Sequence, residues 1–395
     1  MKYLFLGSFC FMHEEEDLLS YSKCGLQSSI ISFQRNMLLG IQANMNDEDS
    51  LEIIYNFPIG SWPKFSNRLF IKGYCCQNIR RLHLFNFPII KQIFNNYQAH
   101  KYIKKWVELN ADYDKIVIMY DMLTPYLRSL CKISNNKLNK IAIIADLPNE
   151  FGYKKDDSSV VAYIKKCIGY RKLKQISKLN YFGLLTRQMA KPLKIDSSRF
   201  VVTEGFSNKS RLFTPLEQNT RTLLYTGVVS KVYQLDILVQ AIRELDSDIK
   251  LWICGSGAYV EELKKICEVD DKITYFGHKT QTEIEVLQSK ATVLINPRQN
   301  IGEYTKYSFP SKIIEYLSTA RPVIAYKLDG IEDAYYNHIY TPTDNSIDSL
   351  KITISTILNL PIEELQKKGL LGREFVLSRT DPRNQIKKIL DIIDS

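Results

Sequence analysis

Five short apolar runs in the second half of the chain constrain the fold most. They are RTLLYTG (221–227), KLWICGSG (250–257), ITYFG (273–277), ATVLINPR (291–298) and RPVIAY (321–326). Between them lie stretches of helical periodicity near 234–245, 259–268 and 280–289, and over SFPSKIIEYL at 308–317. Short strands alternating with helices must be joined by crossovers, which predicts a doubly wound α/β unit around a parallel sheet.

A similar unit opens the chain. Residues 2–9 read as a buried strand ending in Gly7-Ser8, and an acidic loop follows at Glu14–Asp17. Gly25 then opens a helical stretch in which Ile30, Ile31, Phe33, Met37 and Leu38 recur at close to helical spacing. Further strands are expected at 51–56, 115–120 and 140–145, with helices around 88–108 and 124–133. The 395 residues, 45% hydrophobic, suffice for two cores. We expect domains at 1–205 and 206–377, with a helix within 378–395 packing back on the first.

No apolar run approaches the roughly 18 residues of a membrane-spanning helix. The start, MKYLFLGSFCFMHEEED, has one lysine and turns acidic at once, so it reads as a first strand rather than a signal peptide. Eight cysteines without a CxxC pair fit neither a disulfide framework nor a zinc site. The expectation is an intracellular protein.

The formal charge of +10 is unevenly spread. Residues 1–205 hold 29 lysines and arginines against 18 acids, while the remainder is close to neutral. Such a half suits an anionic partner, nucleic acid or a membrane surface. Within it, VVAYIKKCIGYRKLKQISK (160–178) has six cations and no acid, interleaved with Ile164, Ile168, Leu173 and Ile176. A membrane-surface helix and a solvated surface helix fit that pattern equally. No nucleic-acid-reading motif accompanies it.

The richest cluster is SFPSKIIEYL. Pro310 is expected in the first helical turn and Ser308 as its cap, leaving backbone N–H groups and the positive dipole end to receive phosphate. Ser311 and Lys312 add a hydroxyl and a cation. Glu315 shares their face and suits the paired hydroxyls of a ribose. Gly227, Gly255 and Gly257 lie where strands hand over to helices and let a ligand or backbone come close. In the first half, Asp146 follows the strand at 140–145, where ligands of such sheets bind, and His13 could reach the cleft from the first loop.

The run NPRQNIGEYTKYSFPSKIIEYLSTARPVI (296–324) resembles the donor-site signature of the family 4, or group 1, glycosyltransferases, nearest a branch that builds bacterial surface polysaccharides. LLYTGVVSK, WICGSG and TYFG match earlier elements of that family in order and spacing, so the resemblance covers roughly 220–340. SKCGLQSS and ADLP resemble its first half loosely. The resemblance implies the GT-B fold, two Rossmann-like domains facing a central cleft. It implies transfer of a sugar from a UDP- or GDP-linked donor to a glycan or lipid-linked acceptor, in exopolysaccharide or capsule synthesis, with retention of configuration. Lys231 and Lys312 would bind the diphosphate with Ser311, and Glu315 the ribose, as the second acid of an E-x7-E pattern. The first acid is replaced by Tyr307, and Glu303 is the candidate substitute on the sugar hydroxyls. Arg298, Lys306 or Lys312 would complete charge neutralisation.

Cations and a helix end at the leaving diphosphate can replace a metal, so no cofactor or metal is expected. The D-x-D motifs at Asp112–Asp114 and Asp246–Asp248 precede strands rather than follow them. Asp146 is the candidate facing the acceptor, with Gly25 and His13 on the same side. A basic first domain fits a lipid-linked acceptor and a peripheral position on the inner face of the cytoplasmic membrane. Two other readings are a catalytically inactive nucleotide-binding subunit and a nucleotide-sugar epimerase.

Overall fold

The computed structural model describes residues 1–88, 90–147, 159–207, 214–216, 218 and 220–393; the side chains of 159–166, 303 and 304 lie outside the description. The chain divides into two units, Met1–Phe206 with Pro382–Ser395, and Ser207–Asp381.

The first unit runs β1 (Lys2–Ser8), α1 (Glu15–Tyr21), α2 (Ser28–Asn44), β2 (Ser50–Asn56) and four short strands, β3 (Phe70–Ile71), β4 (Tyr74–Cys76), β5 (Ile79–Arg81) and β6 (Leu84–Phe85). It continues through α3 (Ile90–Leu109), β7 (Lys115–Tyr120), α4 (Thr124–Leu130), β8 (Leu138–Ile144), α5 (Ser159–Ile176), β9 (Tyr181–Leu184), α6 (Ala190–Leu193) and β10 (Phe200–Val202). The main sheet has the order β10-β9-β8-β7-β1-β2-β5-β4, parallel except for the β4–β5 pair. Leu4-Phe5-Leu6 and Val117-Ile118-Met119 are fully buried, as central strands covered on both faces must be.

The acidic run expected as a loop folds instead. Met12–Glu14 forms a 3-10 turn and Glu15, Glu16 and Asp17 fill the first turn of α1, where carboxylates complement the helix dipole. Gly25 stands three residues before α2 with φ +72°.

The last helix, α13 (Pro382–Asp391), lies on α2. Ile386 and Ile389 are fully buried, and Asn44 Nδ2 donates to the Arg383 carbonyl at 2.9 Å. A Cβ on Gly40 would stand 2.4 Å from the Pro382 carbonyl oxygen, so glycine allows this approach. Gly40→Val is expected to lower first-unit stability by about 1–3 kcal/mol. Thermal denaturation that leaves the first unit's transition unmoved would contradict that packing.

The second unit comprises β11 (Thr222–Val228), α7 (Leu235–Arg243), β12 (Lys250–Ser256), α8 (Val260–Val269), β13 (Ile273–Tyr275), α9 (Gln281–Lys290), β14 (Val293–Asn296), α10 (Ser311–Leu317), β15 (Val323–Ala325), α11 (Ile347–Leu358) and α12 (Ile362–Arg379). Its sheet is wholly parallel in the order β13-β12-β11-β14-β15. Leu223, Ile253, Val293 and Ile295 from the strands meet Leu238, Ile242 and Ile354 from the helices in its core. Arg321, 1% exposed, closes the end of α9 by donating to the carbonyls of Gln288 (3.2 Å) and Ser289. Strand order reverses between β11 and β14, and a ligand of such a sheet sits outside the carboxyl ends at that switch.

Candidate active site

The loops leaving β11 and β14 are tied together at the switch. After β11, Ser230 Oγ accepts from the Val232 N–H at 3.3 Å and starts the turn Lys231–Tyr233. Gln234, at φ +57°, presents its Oε1 to the Gln299 N–H at 2.9 Å, joining this turn to the loop after β14. Arg298 is buried there, its guanidinium 6.0 Å from the Tyr233 ring and its Nη1 3.5 Å from Ser308 Oγ. The Lys231 turn, Arg298 and Ser308 are thereby brought together.

Helix α10 is pinned to the same strand end. The buried Tyr316 hydroxyl accepts from the Thr226 N–H at 2.8 Å and donates to the Thr226 carbonyl at 3.1 Å. On its outer face Lys312 Nζ lies 2.7 Å from Glu315 Oε2, and Gln288 Nε2 donates to Glu315 Oε1 at 2.9 Å. Lys231 pairs with Glu262 at 2.8 Å, and that bond raises the lysine's pKa. Both expected phosphate-binding lysines thus stand beside a carboxylate.

Ser308 does not cap α10. Pro310 occupies the cap position without a side-chain bond, two residues after the expected cap, and Ser311 is the first helical residue, solvent-exposed. Ser308 is drawn toward Arg298 instead, while Phe309 is buried against Tyr335 with ring centroids 5.3 Å apart. The glycines serve backbone packing. Gly255 has φ +139°, and a Cβ there would fall 1.7 Å from the Gly227 carbonyl oxygen. One on Gly257 would lie 2.2 Å from the Val229 carbonyl oxygen, and one on Gly227 would lie 2.9 Å from the Tyr225 hydroxyl.

Burial pushes the Cys254 thiol up to about 11, with Lys279 and Lys312 pulling the other way. The thiol at the end of β12 is therefore protonated at neutral pH and is no nucleophile. Glu303 opens a 3-10 turn, Glu303–Tyr307, but its side chain lies outside the described residues. Lys306 and Tyr307 belong to that turn and are half-buried.

The aspartate pairs lie elsewhere. Asp246 and Asp248 meet Arg221 at 3.6 and 3.0 Å, at the amino end of β11, and Asp112 and Asp114 precede β7. Among the described residues, no three histidine, cysteine or acidic side chains stand together as metal ligands.

In the first unit, Asp146 is exposed just beyond β8 and adds to the burial and the Asp121 charge that raise the Tyr120 phenol. Pro148, which ends the ADLP run, lies outside the described residues. His13 is exposed and stacked on Phe11, with centroids 5.9 Å apart. Sequence reasoning missed the neighbouring Glu14, which is 4% exposed. Its carboxylate accepts from the Tyr55 hydroxyl at 2.8 Å and the Phe11 N–H at 2.9 Å, and pairs with Arg81. Arg81 lies 4.2 Å over the Phe57 ring. This buried cluster occupies the carboxyl ends of β1, β2 and β5. An acid and an arginine 67 positions apart carry no spacing signal that could have paired them.

Comparison with known proteins places this geometry. Residues 207–369 match the family described as glycosyl transferases group 1. No curated protein matches the whole sequence closely enough to count as a relative. Among solved structures, TarM, which has also been crystallised from S. aureus with UDP, is 16% identical with a TM-score of 0.57. That match covers 80% of this chain but only 59% of TarM. Sucrose-phosphate synthase from Thermosynechococcus elongatus is 14% identical with a TM-score of 0.64, covering 100% of this chain and 99% of that one. The lipopolysaccharide outer core galactosyltransferase WaaB is 14% identical with a TM-score of 0.61, covering 99% of each chain. These likenesses extend the two-Rossmann GT-B fold over the chain. The match to the group 1 glycosyl transferases falls on the second unit, residues 207–369, and there the chain resembles that family.

Proposed function

We propose that the protein moves a sugar from a nucleoside-diphosphate donor to a hydroxyl of a glycan or lipid-linked saccharide in surface-polysaccharide synthesis, with retention and without a divalent metal. The convergence of the Lys231 turn, Arg298, Ser308 and α10 on the β11/β14 crevice carries the donor half of this reading. UDP in the TarM crystals supports a uridine donor.

As the bond from the sugar's anomeric carbon to the phosphate oxygen breaks, negative charge gathers on the diphosphate. Lys231, Lys312 and Arg298 oppose that charge more strongly in the transition state than in the ground state. An arriving diphosphate gives Lys312 a second anion and frees Glu315, still steadied by Gln288, to accept from the ribose hydroxyls. Glu303 binds the sugar hydroxyls. The acceptor oxygen bonds to the anomeric carbon on the face the phosphate leaves, and a phosphate oxygen takes the acceptor's proton. Asp146, with Gly25 and His13, belongs to the acceptor side.

UDP- and GDP-sugars should be screened first for thermal stabilisation of the purified chain, then for turnover with lipid-linked acceptors in EDTA. The matching donor is expected to stabilise, since it binds only the folded state, and to turn over at an unchanged rate in chelator. Stabilisation with no nucleoside diphosphate released would favour an inactive subunit, and loss of rate in EDTA would remove the metal-free part.

No described helix is long and apolar enough to cross a membrane. Contact with an anionic membrane is supported by α3, where Ile90, Ile93 and Tyr97 are exposed and Lys101, Lys104 and Lys105 follow. We expect sedimentation with anionic vesicles at low salt and release at high salt. Salt-independent partitioning would contradict a charge-driven contact.

A further inference from the structure

The first unit contains a cavity of about 290 Å³ that the proposed transfer does not use. It lies where α5 ends and where β9 and β10 begin, at the amino ends of these strands. Asp146 and the other acceptor candidates are at the carboxyl ends. The cavity is therefore at the opposite end of the sheet from the chemistry.

Phe182, Leu193 and Ile195 give it buried apolar walls. Lys174, Lys194 and Arg199 line it too, and no described acidic side chain does. Arg199 is held in place: Nε donates to the Asn180 carbonyl at 3.0 Å, Nη2 donates to the Leu179 carbonyl, and the guanidinium lies 5.5 Å from the Phe182 ring. Lys174 and Lys194 are exposed, the latter on a backbone with φ +55°. The acid nearest in sequence, Asp196, accepts from the Ser198 N–H (3.0 Å) and hydroxyl (2.7 Å). Arg171 and Lys178, also exposed, extend the positive surface along α5.

An apolar interior beneath a mouth whose described charged groups are all cationic matches a molecule with an alkyl tail and an anionic head. Inorganic phosphate would leave the interior unfilled, and a neutral amphiphile would leave the cations without a counter-charge. The volume is at the lower edge of the range for ligand pockets, roughly 300–1,000 Å³, which suits one short alkyl segment. We propose that this cavity takes an alkyl arm of an anionic membrane phospholipid, with its phosphate on Lys174 and Lys194. The proposal deepens the membrane contact proposed above but does not depend on the transferase reading.

The test uses the full chain with octyl phosphate below its micelle concentration, octyltrimethylammonium and inorganic phosphate, read by calorimetry. Octyl phosphate is expected to bind saturably, and the other two at least tenfold more weakly. Leu193→Trp, which fills the cavity, and the surface variant Lys174→Glu/Lys194→Glu should each weaken octyl phosphate at least tenfold. Both should keep the wild-type thermal shift with the matching nucleotide sugar, which separates this site from the donor site. Vesicles of phosphatidylglycerol in phosphatidylcholine should retain the wild type better than the double-lysine variant. Absence of octyl phosphate binding, equal binding of phosphate, or affinity untouched in the lysine variant overturns the site. Octyl phosphate binding with vesicle retention unchanged in the variant overturns the assignment to a membrane lipid.

Discussion

Lys312→Ala is expected to lower kcat/KM for the matching nucleotide sugar by roughly 10²–10³-fold, the usual cost of removing one charge-stabilising group from a transition state. The loss should fall on kcat as well as KM, because the leaving diphosphate is more negative in the transition state than when bound. Folding should change little. Lys312 and Glu315 form a partly solvated i,i+3 pair at 2.7 Å, with side chains 32% and 17% exposed, and such pairs contribute about 0–1 kcal/mol. Glu315→Ala should weaken the nucleoside diphosphate itself, since it removes the proposed ribose partner. Steady-state kinetics and diphosphate-induced thermal shifts of the two variants check the assignment. Normal donor binding and turnover in both would place the donor elsewhere.

The largest stability effect is expected in the other unit. Glu14→Ala should cost about 3–5 kcal/mol, the range for removing one partner of a buried pair, because it strands the Arg81 guanidinium and leaves the Tyr55 hydroxyl without its acceptor. Glu14→Leu/Arg81→Met should recover most of that loss, since replacing a whole buried pair with apolar side chains is often neutral. Urea denaturation of the first unit reads both. A double variant as unstable as Glu14→Ala would mean that Glu14 matters through Tyr55 and Phe11 rather than through Arg81.

Those two sites differ in how far they could be read in advance. Lys312, Ser311 and Glu315 lie within five positions on one helix, so spacing alone puts them together. The strands at 2–8, 115–120 and 222–228 stand out because each carries an apolar run, Tyr3–Leu6, Ile116–Tyr120 and Leu223–Tyr225, buried on both faces. The tie between Gln234 and Gln299, the Glu262 beside Lys231 and the Gln288 beside Glu315 join residues 27 to 65 positions apart, and no periodicity reports them. The cap of α10 was misplaced because Arg298, ten positions upstream, draws Ser308 aside. Residues 14–17 looked like a solvated loop since four consecutive acids resemble a polar face. Only the fold shows that the first is enclosed while its neighbours stay at the surface.

The second unit is an insertion within the first, because Pro382–Ser395 returns to α2 after Ser207–Asp381 has been traversed. During synthesis, the ribosome releases every residue of the inserted unit before it delivers the helix that seats against Gly40. The amino-terminal sheet therefore waits, with one flank of α2 uncovered, while the later-encoded unit already has its full complement of strands. A nascent chain halted before position 382 would hold a complete second unit attached to an unfinished partner, the state in which exposed apolar surface most needs a chaperone.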